Sequence, residues 1–235
     1  MACNTEPDIG AAALDEYYTA DTWPSEGGKA MVDYKEDMIG GMIPNAACVF
    51  AGYGVHTYLV DTLKNNSKKT DMIVSDLKAH GVKTGLLRYQ DDIPDARTII
   101  ILTHRERTIL VVEPHKPLLD IKACELDIFR KASYIYTTPV ELKNIRNYME
   151  FVDDMKNHHV KLAFDIEAST VDACDKELIY KGDVLFFNEF GFEKIKGNRG
   201  EEEAFSEMFE NGVEIATITL GEKGSFTATK NETFR

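Results

Sequence analysis

The chain has 235 residues, 43% hydrophobic and 29% charged, which is enough for one sizeable core and excludes a disordered polypeptide. Its 27 basic and 40 acidic residues leave a net charge of −13, so nucleic acid is not an expected partner, and any anionic ligand needs local help from helix N-termini or glycine-rich turns. No apolar run is long enough to span a bilayer, no secretory leader opens the chain, and Cys3, Cys48, Cys124 and Cys174 fit neither a CxxC pair nor a zinc module, so we expect a cytoplasmic protein with no membrane partner.

In chain order, Tyr17–Trp23 and Ala30–Ile39 read as extended segments separated by Pro24-Ser25-Glu26-Gly27-Gly28. Pro44–Tyr53 reads as a helix. Thr57–Val60 and Lys83–Tyr89 read as strands, flanking a helix over Asp71–His80 with Thr70 as N-cap and Gly81 as its stop. Arg97–Thr103 and Arg107–Val112 are β-rich and joined by His104-Arg105-Glu106, a hairpin-like pattern. From Ser133 the chain alternates regularly. Ser133–Thr137 is a strand, and Thr138-Pro139-Val140-Glu141 is a capping box that opens a helix running to about Asn157. Val160–Ile166 is a buried strand, Val171–Lys181 a helix stopped by Gly182, and Val184–Asn188 a strand. Glu201-Glu202-Glu203 opens a helix that ends at Asn211-Gly212, and Glu214–Leu220 is a strand. Such alternation predicts parallel strands with helices on both faces. The two helix-free pairs predict a small separate sheet.

The Walker pattern and GxGxxG are both absent; Gly52-Tyr53-Gly54 lacks its third glycine. Gly40-Gly41-Met42-Ile43-Pro44-Asn45-Ala46-Ala47 remains. Two glycines allow close backbone approach, Pro44 suits a first helical turn, and the Asn45 amide can donate to and accept from a hydroxyl. Taken alone, the segment reads first as a tight turn into a helix with Asn45 solvated. His158-His159, His104 and His115 read as helix-end or solvated residues, and Arg105-Glu106-Arg107 as a polar hairpin tip.

The context of this segment resembles the ribokinase-like (PfkB-type) carbohydrate kinases. Ala12-Ala13-Leu14-Asp15 resembles the end of that family's first strand. Trp23-Pro24-Ser25-Glu26-Gly27-Gly28, Gly81-Val82-Lys83-Thr84 and Arg107-Thr108-Ile109 resemble pieces of its lid region. Phe187-Asn188-Glu189 resembles the start of its N-x-x-E motif, and Thr219-Leu220-Gly221-Glu222-Lys223-Gly224 its T-L-G-x-x-G turn. The likeness runs from about Gly10 to the C-terminus. It implies an α/β, ribokinase-like, doubly wound and mostly parallel sheet over residues 1–235, with lid strands inserted at about 17–39 and 97–112.

The resemblance also implies ATP-dependent phosphorylation of a sugar hydroxyl, with ATP and Mg²⁺ as cofactors and a homodimer formed through the lid. Asp15, Gly40, Gly41, Asn45 and Arg107 are the implied substrate-binding residues. Asn188, Thr219, Gly221 and Gly224 are the implied nucleotide-binding residues. Two departures stand out. Gly191 occupies the position of the motif Glu, which leaves Glu189 or Glu193, neither at the motif's offset, as substitutes, with Glu189 as an indirect metal contact. The motif G-A-G-D, source of the catalytic aspartate, is absent from the 235 residues, so its base is expected beyond Arg235 and the polypeptide alone is expected to turn over little. A nucleoside kinase of the same superfamily and a non-catalytic sugar-binding or dimerising protein are the alternatives.

Overall fold

A computed structural model describes residues 5–104, 106–112, 115–171 and 175–235. Cys3, Cys174 and Arg105 therefore lie outside the described residues. The chain divides into two compact units, one made of Met1–Ile9 and Leu118–Arg235, the other of Gly10–Pro117.

Strand β1 (Thr5–Ile9) belongs to the first unit, and Gly10 opens the second. In the second unit β2 (Ala13–Thr19) and β3 (Asp33–Gly40) run antiparallel, then α1 (Met42–Gly52), β4 (His56–Val60), β5 (Thr62–Lys64), α2 (Lys68–Ala79), β6 (Arg88–Gln90), β7 (Arg97–Leu102) and β8 (Arg107–Val112) follow. A four-stranded sheet has the order β3-β2-β7-β8, and β5 pairs with β6. Asp15 thus sits inside a strand of the small sheet, not at the end of the first strand. The chain leaves β1 at Gly10, and the Ala12 N–H is taken by Asp61 Oδ2 at 2.9 Å instead of by a neighbouring strand.

Leu14 and Glu16 are buried while Asp15 and Tyr17 face the other side, as strand alternation requires. Glu16 is held by Lys69 of α2, with Arg97 at 3.6 Å. Helix α2 starts at Lys68, three residues before the expected Asp71. Ser67 is its N-cap, accepting from the Lys69 N–H at 3.2 Å, whereas the Thr70 hydroxyl donates to the Lys64 carbonyl at 2.8 Å. Gly81, at φ 86°, terminates it as expected. The strand expected over Lys83–Tyr89 reduces to β6 and a single bridge at Lys83. Leu14, Ile43, Leu59, Leu63, Ile73 and Leu77 form this unit's core.

The first unit resumes with α3 (Ala123–Arg130), β9 (Tyr134–Thr137), α4 (Pro139–Lys143), α5 (Tyr148–Asn157), β10 (Lys161–Ile166), α6 (Lys176–Ile179), β11 (Val184–Asn188), α7 (Glu189–Lys196), α8 (Glu201–Glu210), β12 (Ile215–Thr219), β13 (Ser225–Thr229) and β14 (Thr233–Phe234). Its strands lie in the order β14-β13-β12-β11-β10-β9-β1. From β1 to β12 they are parallel; β13 and β14 close the edge antiparallel. Thr138 caps α4 by accepting from the Glu141 N–H, with Pro139 in the first turn. The single helix expected from there to Asn157 is two, because Asn147 adopts left-handed backbone (φ 56°) and breaks the run. Phe187 meets Phe192 edge to face, Phe192 stacks on Phe205, and Phe226 of β13 packs tilted on Phe205. These rings pin α7 and α8 to the sheet.

Candidate active site

The substrate-side residues expected from the sequence lie in the second unit. Asp15 (β2) is paired across the sheet with Met38 (β3) and Thr98 (β7), so all three present one face. Arg107 of β8 lies on that same face, opposite Leu102. Burial pushes the Asp15 carboxyl up from its ordinary range, while the Thr98 hydroxyl and the Arg107 charge pull it back. Thr98, buried, is a partner for Asp15 that the sequence reading did not name.

Gly40 ends β3 beside this carboxylate. A Cβ at Gly40 would lie inside 3.0 Å of Asp15 Oδ1, Oδ2 and Cγ, so only glycine leaves the carboxylate its place. Gly41 has φ 108°, and a Cβ there would meet the Ala11 carbonyl oxygen at 2.5 Å. This turn redirects the chain from β3 into α1, whose first intrahelical bond runs from the Asn45 N–H to the Gly41 carbonyl at 3.1 Å. Asn45 is exposed in the first turn of α1, as expected. The helix begins at Met42, two residues before Pro44, whose missing N–H costs nothing in a first turn. Asp15, Gly40 and Gly41 are thus neighbours around one turn; Asn45 stands one helical turn further on.

A second anchor in this unit is Asp61, buried at the end of β4. It accepts from the Ala12 and Thr62 N–H groups at 2.9 and 2.7 Å and from Lys116 Nζ at 2.6 Å. Burial raises its carboxyl above the ordinary range, with Lys116 opposing.

The residues expected from the sequence on the nucleotide side lie in the first unit, at or just beyond the C-terminal ends of parallel strands, where ligands of open α/β sheets bind. Asn188 ends β11 directly opposite Thr219 of β12. Asn188 Oδ1 accepts from the Gly191 N–H at 2.7 Å, capping α7. The Thr219 hydroxyl donates to the Phe187 carbonyl at 3.2 Å. Gly221 (φ 57°) and Gly224 (φ 86°) shape the following turn, and no atom stands within 4 Å of where either Cβ would be. Glu189 is exposed in the first turn of α7. Gly191 is required by packing: a Cβ there would lie inside 3.0 Å of the Ile166 carbonyl oxygen and at 2.9 Å from Glu167 Cα. The side chain of a glutamate cannot occupy that position on this backbone.

Sequence reasoning missed three polar groups on the strands of the same unit. Tyr136 (β9) donates to Asp165 Oδ2 (β10) at 2.6 Å. Burial and the nearby carboxylates raise the Tyr136 phenol above its ordinary value, and burial raises Asp165. Asp8 of β1 is 0% exposed, and neither carboxylate oxygen has a hydrogen bond of normal geometry among the described residues. Burial, then the Glu6 charge, raise its carboxyl well above the ordinary range. Carboxylates inside otherwise apolar strands were the available signal.

Comparison with curated protein sequences finds no match. Among solved structures, the chain is similar to Arabidopsis thaliana ribokinase complexed with ribose and ATP, at TM-score 0.79 and 20% identity over 100% of this chain and 78% of that one. It is similar to Halothermothrix orenii fructokinase at TM-score 0.79 and 14% identity, covering 99% and 84%. It is also similar to a ribokinase II from E. coli in complex with ATP and Mg²⁺, at TM-score 0.80 and 14% identity, covering 98% and 77%. These likenesses establish a ribokinase-like fold: a large, mostly parallel sheet with helices and a small separate sheet. The model of the pfkB family carbohydrate kinases matches residues 21–235, and over that span the chain belongs to this family.

Proposed function

We propose that the chain binds a sugar through Asp15, Gly40, Gly41, Asn45 and Arg107 and takes part in ATP-dependent phosphorylation of one of its hydroxyls. One observation carries this reading: Gly40 has given up its side chain to the Asp15 carboxylate. A carboxylate set against a glycine turn can accept from two adjacent hydroxyls, which suits a polyol. Burial raises the Asp15 carboxyl, and the Thr98 hydroxyl and then the Arg107 charge oppose that rise.

Asn188, Thr219, Gly221 and Gly224 fit a nucleotide polyphosphate. With Asn188 Oδ1 engaged by Gly191, the amide NH₂ is the end left to offer, and an NH₂ suits a phosphate oxygen better than a cation. The open turn at Gly221 and Gly224 leaves its backbone accessible to a ligand. Glu189 would reach Mg²⁺ only through water. ATP would supply the phosphoryl group, and a bound Mg²⁺ would supply charge neutralisation for the phosphates. These residues would bind the sugar and the nucleotide.

The small sheet is the proposed dimer contact. Met38, Ile109 and Val111 are 51%, 47% and 70% exposed on it, an apolar surface suited to self-association; a Val111→Glu chain of unchanged apparent mass in light scattering would remove this part of the proposal. Among the described residues no helix is long and apolar enough to cross a membrane.

The test is thermal stabilisation by sugars, beginning with ribose and fructose. A sugar that raises the Tm of the wild type and not that of Asp15→Asn supports the reading. An equal response in the two proteins removes Asp15 from the site.

A further inference from the structure

We propose that Cys48, Asp76 and His80 form a binding site for a zinc-class divalent cation that ties α1 to α2. The thiol, a carboxylate oxygen and an imidazole nitrogen all lie within 4.8 Å of one another. Tetrahedral zinc holds sulfur, nitrogen and oxygen ligands about 3.5 Å apart. The three groups therefore need to close by about 1 Å, a side-chain adjustment open to residues that are half-buried or exposed.

The imidazole faces the carboxylate. His80 Nδ1 lies 3.4 Å from Asp76 Oδ2 and 2.9 Å from the Asp76 carbonyl oxygen. Ligation through Nδ1 would exchange the hydrogen bond to that carbonyl for the metal, with the ring proton carried on Nε2 toward solvent. Asp76 and His80 are four residues apart near the end of α2, so both project to one side of the helix. Cys48 comes from α1, and its thiol is pushed up by burial and then by the Asp76 charge. A cation seated there would relieve that repulsion, and the thiol proton would pass to the buffer on binding.

The chain contains an internal control. Asp154 and His158 repeat the same spacing at the end of α5, with His158 Nδ1 at 2.9 Å from the Asp154 carbonyl oxygen. There the carboxylate is already engaged by Arg130, at 2.9 and 3.1 Å, and among the described residues no cysteine joins them. The Cys48 cluster differs by having a soft sulfur ligand where the other has a guanidinium. Sulfur, nitrogen and oxygen donors select zinc or cobalt over magnesium, so this site is distinct in chemistry from the Mg²⁺ of the phosphoryl-transfer reading and does not depend on it. Cys48 lies three residues after Asn45 on α1, so occupancy would brace the helix that presents Asn45.

The test uses the reduced, metal-free chain titrated with Co²⁺ and then Zn²⁺. The expected result is a thiolate-to-cobalt charge-transfer band that Zn²⁺ abolishes, with one metal per chain and a rise in Tm. Cys48→Ser should lose the band and bind Zn²⁺ at least about 10–100-fold more weakly, the loss that follows removal of even an outer-shell partner, and His80→Gln should weaken Zn²⁺ binding likewise. Cys124→Ser and His158→Gln should match the wild type. Melting of each variant without metal checks that it is folded; Cys48 is only partly buried, so serine is tolerated there. Absence of a charge-transfer band in the wild type would overturn the proposal. So would equal Zn²⁺ affinity in folded Cys48→Ser, or loss of the band in Cys124→Ser.

Discussion

Replacing Gly40 with alanine separates a steric role from a backbone one. Gly40 is not among the glycines with positive φ, so its backbone accepts an L-residue. The whole cost falls on one added methyl, which would lie inside 3.0 Å of three Asp15 atoms, against the 3.4 Å at which ordinary van der Waals contact begins. Asp15 must rotate away or the two strands must part. All three atoms belong to the end of a side chain that can rotate, so the cost is that of an off-rotamer Asp15, about 0.5–1.5 kcal/mol, which for a chain of this size lowers Tm by about 1–6 °C. Rotation also removes the carboxylate from the proposed sugar. A hydrogen bond to a charged group contributes about 1.5–3 kcal/mol, so sugar affinity should fall about 10–150-fold. Differential scanning fluorimetry with and without sugar reads both effects. Gly221→Ala is the comparison: it sits at φ 57° in open space, so it should cost about 1–2 kcal/mol for the left-handed backbone and leave the sugar response intact. A folded Gly40→Ala chain that binds sugar like the wild type would refute the reasoning.

Lys116→Met should destabilise by about 3–5 kcal/mol, because it leaves the Asp61 carboxylate buried without its cation; urea unfolding of the two proteins measures it, and a loss under 1 kcal/mol would contradict the assignment. Gly191→Glu, which nominally restores the family motif, should lower Tm by at least about 2–12 °C, since its Cβ meets the Ile166 backbone and backbone cannot rotate aside; a variant as stable as the wild type would show that α7 shifts freely. Asp8 supplies the pH prediction. Its folded pKa is raised, so it binds more protons folded than unfolded. Its favourable contribution is full below the unfolded carboxyl range and is lost as pH rises through the folded value. Asp8→Asn should therefore gain stability over the wild type at neutral pH and flatten that part of the Tm–pH curve; parallel curves would rule out Asp8 as the cause.

Local chemistry made much of this chain legible. Val184–Asn188 is an apolar run of strand length and is β11. Thr138-Pro139 starts a helix because the hydroxyl caps and the proline needs no donor, and Gly81 and Gly212 end helices because they adopt positive φ. The alternation of such signals is enough to indicate parallel strands, and a small separate sheet is present, but the segment expected over Tyr17–Trp23 overlaps β2 only at residues 17–19, since that strand starts at Ala13. Where local signals competed, the tertiary structure chose. Ser67, not Thr70, caps α2 because Thr70 is drawn to the Lys64 carbonyl, and Asn147 divides a helix whose apolar spacing runs on across it. Helix α7 escaped notice because its cap, Asn188, also reads as the end of a strand. What the sequence could not hold is contact between distant residues. Its alternating β/α pattern and its glycines determine the fold class and mark Gly40 and Gly41 as special. Only the register of β2 against β3 and β7 sets Asp15 beside Gly40 and Thr98, and only the placing of α1 by α2 brings Cys48 to Asp76 and His80. Periodicity is a property of neighbours along the chain; a site is made by residues that packing alone makes neighbours.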